Sequence, residues 1–348
     1  MDNRFLKMLD ELKKEPLDLN LNSRVLIVDG LNQFIRTFAT SPVTNDDGLH
    51  VGGITGFFLT IGYAIKHLKP TRVILVFDGK GGSHRRRQIY SEYKNNRKPG
   101  SDIKRSPYLQ TDEDPKASMV RQMRRLSEYL ETLPVTTMVI DHIEADDTIA
   151  YLTTLVRERG GQSYIMSTDR DFLQLVNDDV AVWSPTKKKL YFKNDVVEEY
   201  GVSANNFLLY RTITGDKGDN LPKVKGIGSK TLIKRLPQIR DERELSIDDL
   251  FEHCKLNIDD TVLSKILTEE QMIRTNYELM QLKDVNISGS SKMKIIQMFE
   301  GAINPFVKDD FFRMLIDDRM AEAIKNVKMW CMDVFQPLDM YRRKSITN

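Results

Sequence analysis

Cys254 and Cys331 are the only two cysteines in the 348-residue chain. They stand far apart and are too few for a disulfide framework or a thiolate-rich structural zinc site, so a reducing compartment is expected. Also missing is any run of ~18 apolar residues, the length needed to span a bilayer, which argues against a membrane protein. The first residues, MDNRFLKMLDELKKEPL, mix acidic and basic side chains at helical spacing, without an apolar h-region or a small-residue cleavage site. A cytoplasmic location follows as the expectation. No internal repeat is found. An excess of charge of one sign is lacking too, since 52 Lys and Arg against 50 Asp and Glu leave a net +2.

What is present is an ordinary globular composition, 40% hydrophobic and 29% charged, in a chain long enough for one main domain and a smaller one. The near-neutral sum conceals a division. Between Lys80 and Arg105 nine Lys or Arg face only Glu92 and Asp102, and more lysines follow Asp216. Acidic residues gather instead where strands are expected to end. Those strands are the apolar runs RVLIVDG (24–30), RVILVFDG (72–79), VTTMVID (135–141), SYIMSTD (163–169) and VAVWSP (180–185), separated mostly by helix-period segments. Such runs predict buried, largely parallel strands of an α/β sheet. Four of the five close on aspartate, and in open α/β sheets the carboxyl edge is where loops converge on a ligand. Residues 95–116, with three prolines and no sustained periodicity, read as a long loop or partly helical arch. After about Asp216 helical patterns dominate, for example over 309–335, and NISGSSK (286–292) reads as a linker.

The aspartates are the chemical signal. Asp29 and Asp78 each end a strand and precede glycine; Glu144, Asp146 and Asp147 crowd the first turn of a helix; STDRDF supplies Asp169 and Asp171; GDKGD supplies Asp216 and Asp219. One strand-end aspartate is usually a turn residue, and one or two acids at a helix start are usually caps. So many carboxylates at one edge repel each other unless divalent cations neutralise them. All-oxygen ligation favours Mg²⁺, with Mn²⁺ able to substitute, and two such ions ~4 Å apart suit phosphodiester hydrolysis. In HRRRQIYSEYKNNRK (84–98), Arg86, Arg87, Tyr90, Tyr93, Lys94 and Arg97 recur at spacings of three or four, so a helix there would carry a cationic and aromatic stripe from the metal edge. Lys94 is placed to neutralise charge developing on a phosphate and Tyr93 to stack on a base. VKGIGSKT (224–231) is a Gly-x-Gly turn, Gly226 and Gly228, ringed by Lys223, Lys225 and Lys230. Its exposed amides suit a phosphate contact that reads no sequence. A plain helix C-cap at Gly226 is the structural alternative.

VDG, VFDG, YKNNR, EADD, STDRDF, GDKGDN and GIGSKT, in this order over residues 24–235, resemble the structure-specific 5′ nucleases: flap endonucleases, the 5′ nuclease domains of bacterial DNA polymerases and phage ribonucleases H. YKNNR and SPTKKK (184–189) look most like the phage ribonuclease H branch. The resemblance implies a PIN-like α/β core over 24–215, with an arch over about 85–118. It also implies a smaller helical lobe over 216–348, with a helix-hairpin-helix-type element near 216–237; residues 1–23 are an N-terminal helical extension. The family's first metal site maps onto Asp29, Asp78, Glu144 and Asp146, with Asp147 beside it; the second maps onto Asp169, Asp171, Asp216 and Asp219. Its active-site lysine matches Lys94 and its phosphate-contacting arginine Arg36, although the aromatic that often precedes that arginine is here Ile35, with Phe34 one position earlier. Carbonyls around Gly226 and Gly228 would frame the K⁺ ion that the family's turn commonly binds.

The activity so implied is Mg²⁺-dependent 5′→3′ exonuclease and flap endonuclease action on flapped, nicked or 5′-ended duplex DNA and on RNA in RNA–DNA duplexes, as in primer removal, leaving 5′-phosphates. A phage-encoded chain would act in the host cytoplasm. QPLDMY (336–341) resembles peptides that dock on sliding clamps, which makes a clamp one candidate protein partner; a single-strand-binding protein is the other. Two rival readings are a DNA-binding scaffold of this fold that no longer cuts, whose signature would be missing carboxylates, and a small PIN-type ribonuclease acting on single-stranded RNA.

Overall fold

In the computed structural model of the chain, residues 20–96, 105–320 and 322–347 are described. The expected N-terminal extension therefore lies almost wholly outside the described residues, as do Arg97 and the middle of the expected arch. The sheet is built outward from β1 (Arg24–Asp29), whose five residues from Val25 onward are all buried. Leu26 and Val28 enter one hydrophobic core and Val25 and Ile27 the other. Successive side chains of a strand point to opposite faces, so a strand covered on both sides has to be apolar at every position. β2 (Arg72–Asp78) repeats the pattern, with Val73 and Leu75 on one side and Ile74 and Val76 on the other.

With β3 (Thr136–Ile140), β4 (Gln162–Met166), β5 (Val180–Ser184) and β6 (Lys189–Tyr191) the sheet has six strands in the order β3-β2-β1-β4-β5-β6. The first five are parallel; β6 pairs antiparallel to β5. Every expected strand is present. β6 was not expected, because three residues after a lysine run carry too short an apolar signal to register.

Helices α1 (Gly30–Thr40) and α2 (Gly52–Leu68) link β1 to β2; α3 (His84–Ile89) and α4 (Pro115–Glu131) lie between β2 and β3; α5 (Ala145–Glu158) connects β3 to β4; and α6 (Lys193–Tyr200) follows β6. The glycines after both strand-end aspartates have a steric cause. A Cβ on Gly79 would stand 2.1 Å from the Ile140 carbonyl oxygen, and one on Gly30 would stand 2.6 Å from the Phe77 ring. The chain leaves each strand in contact with its neighbour, which no larger residue allows.

The helical remainder divides three ways rather than forming one lobe over 216–348. The first part is α7 (Phe207–Thr214), α8 (Ser229–Arg235), α9 (Ile247–Leu256), α10 (Thr261–Thr268) and α11 (Glu270–Met280), which enclose a core of their own around Leu209, Ile213, Leu232, Phe251, Ile266 and Ile273. Next, α12 (Gly289–Glu300) packs Ile295 and Phe299 into the sheet core that contains Val25 and Ile27. Last, α13 (Lys308–Asp317) and α14 (Val327–Thr347) bring Phe311, Leu315, Phe335 and Leu338 into the opposite sheet core. Burying an aromatic or leucine side chain contributes roughly 1.5–3 kcal/mol, so these helices belong energetically to the α/β core.

Two expectations change accordingly. The segment 286–292 is not a free linker, because Ile287 is buried and Ser288 caps α12 by accepting from the Ser291 amide at 3.2 Å. QPLDMY is not an accessible docking peptide either, since it lies within α14 with Leu338 and Tyr341 buried. Its Asp339 accepts bonds from the Phe306 amide at 3.2 Å and from Arg342 Nε and Arg343 Nε at 2.7 Å each. Among the described residues no helix is long and apolar enough to cross a membrane.

Candidate active site

The strand order reverses at β1, whose neighbours β2 and β4 lead away in opposite directions, and the crevice beyond the carboxyl ends at such a point is where α/β sheets bind ligands. Asp29 ends β1 and caps α1. Its carboxylate accepts the Asn32 amide at 3.2 Å and the Ser167 hydroxyl at 2.9 Å. Burial, with help from the charges of Asp169 and Asp78, pushes its pKa up to about 7. Asp78, at the end of β2, accepts the Ala145 amide at 2.8 Å, so the strand-end carboxylate caps the helix that carries Asp146. Burial raises Asp146 well above the usual carboxylate range, and the charges of Asp169 and Asp29 add to the effect. Four elements thus deliver Asp29, Asp78, Asp146 and Asp169 to one place.

Beside them Glu144 sits at 3% exposure and is ringed by donors: Arg86 Nη1 at 2.8 Å, Lys94 Nζ at 2.9 Å and the Tyr93 hydroxyl at 3.0 Å. Burial alone would raise its pKa, but Arg86 and Lys94 outweigh burial and hold it below its ordinary value. Burial would likewise lower the Lys94 ammonium; Glu144, Asp146 and Asp219 overcome that and keep it protonated. Lys94 has φ +55°, a left-handed backbone turn whose amide donates to the Asp219 carbonyl at 3.0 Å. The Tyr93 hydroxyl also reaches Asp219, at 3.2 Å.

The second group of acids is organised by a residue the sequence reading missed. Arg211 on α7 donates through Nε to Asp171 at 2.6 Å and through Nη2 to Asp216. Asp171 is pushed up to about 7 by burial and by Asp169, against the pull of Arg211. Asp216 is held low, Arg211 outweighing its burial. Asp169 in turn accepts the Asp171 amide at 2.8 Å. The one signal for Arg211 in the sequence was a lone cation in the otherwise uncharged run FLLYRTIT.

Several expected roles shift. The stretch 84–98 does not form one helix: α3 stops at Ile89, and Tyr90 is extended. Arg86 is not a free DNA contact, because it is 5% exposed and makes a fork to Asp147, Nη1 to Oδ2 and Nη2 to Oδ1 at 2.7 Å each, besides its bond to Glu144. Asp147 accordingly faces Arg86 and is spent on that ion pair. Tyr93 is 2% exposed, so its ring offers no stacking surface to a base; burial pushes its phenol well above the ordinary value and it remains a donor. Arg87 is exposed on α3. Arg36, on α1, bonds Gln33 at 3.0 Å and Thr60 at 3.4 Å. Lys223, Lys225, Gly226 and Gly228 are exposed on the turn between α7 and α8 and Lys230 is exposed in the first turn of α8; Gly226 has φ +80°, and Val224 and Ile227 anchor the loop in the helical core. A cleft of about 870 Å³ lies elsewhere, between residues 45–54, α4 and residues 317–320.

An all-oxygen donor set with excess negative charge fits a hard divalent cation. Among the described residues no three acidic, His or Cys side chains are grouped tightly enough to enclose an ion by themselves. Arg86, Lys94 and Arg211 neutralise part of the surrounding charge through their bonds to Glu144, Asp147, Asp171 and Asp216.

Fold, strand-end acids and glycine turn together define a PIN-like nuclease architecture. Residues 24–201 match the 5′-3′ exonuclease N-terminal, resolvase-like domain, and the chain belongs to that family. It is 32% identical over 261 residues, 75% of its length, to the thermostable DNA polymerase I of Thermus thermophilus, of which it covers 29%. It is 30% identical over 211 residues to the 5′-3′ exonuclease of Aquifex aeolicus, covering 60% of this chain and 68% of that one. The chain therefore spans under a third of the polymerases it matches. Among solved structures, the bacteriophage T5 flap endonuclease in a pseudo-enzyme–product complex with DNA and metal ions superposes with a TM-score of 0.60 at 24% identity, covering 85% of this chain and 99% of that one.

Proposed function

We propose that the chain is a metal-dependent 5′→3′ exonuclease and flap endonuclease, acting on 5′-ended, nicked or flapped duplex DNA and on RNA in RNA–DNA duplexes. The observation that carries this reading is the meeting of Asp29, Asp78, Asp146 and Asp169 at the strand-order reversal, with protonated Lys94 beside them. Asp29, Asp78, Glu144 and Asp146 are the residues that would hold a first Mg²⁺ or Mn²⁺, and Asp169, Asp171, Asp216 and Asp219 a second. Such ions supply a water of lowered pKa and neutralise charge on a phosphodiester. Tyr93 and Glu144 orient Lys94, whose ammonium then stands ready for the negative charge that grows on the phosphate in the transition state.

Exposed lysines around Gly226 and Gly228 support a sequence-independent grip on the duplex backbone, with a K⁺ ion on the turn carbonyls, and Arg36 supports a second phosphate contact. The bond from the Lys94 amide to the Asp219 carbonyl ties this grip to the cutting site. Binding and cutting would thereby be held at a fixed spacing. The test is cleavage of 5′-labelled flapped, nicked and RNA-primed duplexes with and without Mg²⁺, alongside Asp78→Ala. Mg²⁺-dependent release of 5′ fragments by the wild type, with Asp78→Ala binding a flap but not cutting it, is expected. A wild type that binds flaps and cuts none of these substrates would make the chain a non-cutting scaffold.

A further inference from the structure

Arg211 is the one charged residue of α7, and it lies 7% exposed among Leu208, Leu209 and Ile213. A buried guanidinium is costly unless its donors are taken, and here each nitrogen is engaged: Nε by Asp171, Nη2 by Asp216 and Nη1 by the Gly215 carbonyl at 3.2 Å. Its two carboxylates come from different places, Asp171 from the turn after β4 and Asp216 from the loop that leads to the glycine turn. The far side of Asp216 is also taken, Oδ1 accepting the Gly218 amide at 2.5 Å and the Asp219 amide at 3.2 Å. Three of the roughly four acceptor positions of the Asp216 carboxylate are thus filled by the protein itself.

We propose that Arg211 is a built-in cation of the second carboxylate group: it spans Asp171 and Asp216, lowers the charge demand there, and positions the glycine-turn loop against the strand-end acids. The inference rests on the metal-dependent reading above. Its physical consequence is a trade. Fixed positive charge beside a divalent ion weakens the ion's binding by electrostatic repulsion, while the fork spanning two elements holds the acids in register. Arg211 is therefore a positioning residue that keeps one ion loosely held, ready to follow the substrate phosphate.

The experiment measures Mn²⁺ binding calorimetrically on metal-stripped wild type, Arg211→Gln and Arg211→Lys, together with turnover on a flapped duplex at saturating Mn²⁺. For Arg211→Gln the weaker Mn²⁺ site is expected to tighten about tenfold or more, because one unit charge a few ångströms from a divalent ion is removed. Turnover falls about a hundredfold as the two elements lose register. Arg211→Lys keeps the charge without the fork, so its Mn²⁺ affinity stays within about twofold of wild type while turnover still falls. A residue that merely stabilises the fold would weaken metal binding when replaced, so unchanged or weaker Mn²⁺ binding by folded Arg211→Gln overturns the proposal. Should Arg211→Gln not fold without metal, Arg211→Lys decides, and a loss of Mn²⁺ affinity there overturns it equally. A wild type that cleaves no flap, nick or RNA primer removes the nuclease reading, while the calorimetry still judges Arg211.

Discussion

Replacing Arg86 by methionine tests whether the acids beside the site are held by an internal counter-charge. Arg86 makes four bonds from a nearly buried position, to Glu144, twice to Asp147, and through Nε to the Leu279 carbonyl at 2.8 Å. Those bonds join α3, α5 and the end of α11, so the side chain links the nuclease core to the helical unit. Methionine keeps the apolar stem and removes the charge. Glu144 retains Lys94 and Tyr93; Asp147, with its side chain 10% exposed, loses both of its arginine bonds. Removing one partner of a buried pair costs about 3–5 kcal/mol. That is about a fifth or more of the roughly 5–15 kcal/mol by which domains are stable. Urea unfolding followed by circular dichroism measures the loss, and Asp147→Asn with the double variant closes a cycle whose expected coupling is about 2 kcal/mol or more. A loss below about 1 kcal/mol with additive effects would refute the reasoning, because the pair would then behave as a solvated surface contact.

Lys94→Ala should lower kcat on a flapped duplex by at least about a hundredfold with little change in KM, because its interaction strengthens only as phosphate charge develops; pre-steady-state cleavage separates the two. The metal-free protein should lose stability as pH rises. Asp29 and Asp171 have folded pKa values of about 7, raised above their unfolded values near 4, so the folded state holds the extra protons between those limits. Stability declines through that window by on the order of one kcal/mol for each pH unit and group, and levels off above pH ~7. Glu144 and Asp216 are shifted the other way, and what they contribute is lost only as pH falls through their depressed folded values. Mg²⁺ should therefore raise the melting temperature more at pH 8 than at pH 5, and an equal rise at both would count against buried, charge-starved acids.

The sheet and its acids could be read from the chain because their causes are local. A strand buried on both faces must be apolar at each position, as RVLIVD is, and the aspartate and glycine that end it mark where the chain turns out of the sheet. The acids at Asp29, Asp78, Asp146 and Asp169 needed only that pattern and the rule that parallel strands share a carboxyl edge. Partner choice was different in kind. Arg86 and Arg87 are adjacent and alike in sequence, yet the first is buried on Asp147 and Glu144 and the second is exposed. Which of them turns inward depends on α5 and α11, many residues away.

Similarly, QPLDMY carries the residue types of a docking peptide, and only the packing of α14 on the sheet core shows that Leu338 and Tyr341 are already occupied. Asp147 and Asp146 likewise differ by a single position, but a helix turns about 100° per residue, so one faces a guanidinium and the other the carboxylate cluster. The linear chain by itself determined the five parallel strands, the acidic ends of four of their runs and the glycine turn, each written within a few neighbouring positions. Only the tertiary structure decided which charges meet, since ion pairs such as Arg86–Asp147 and Arg211–Asp171 join residues 61 and 40 positions apart and leave no periodic trace.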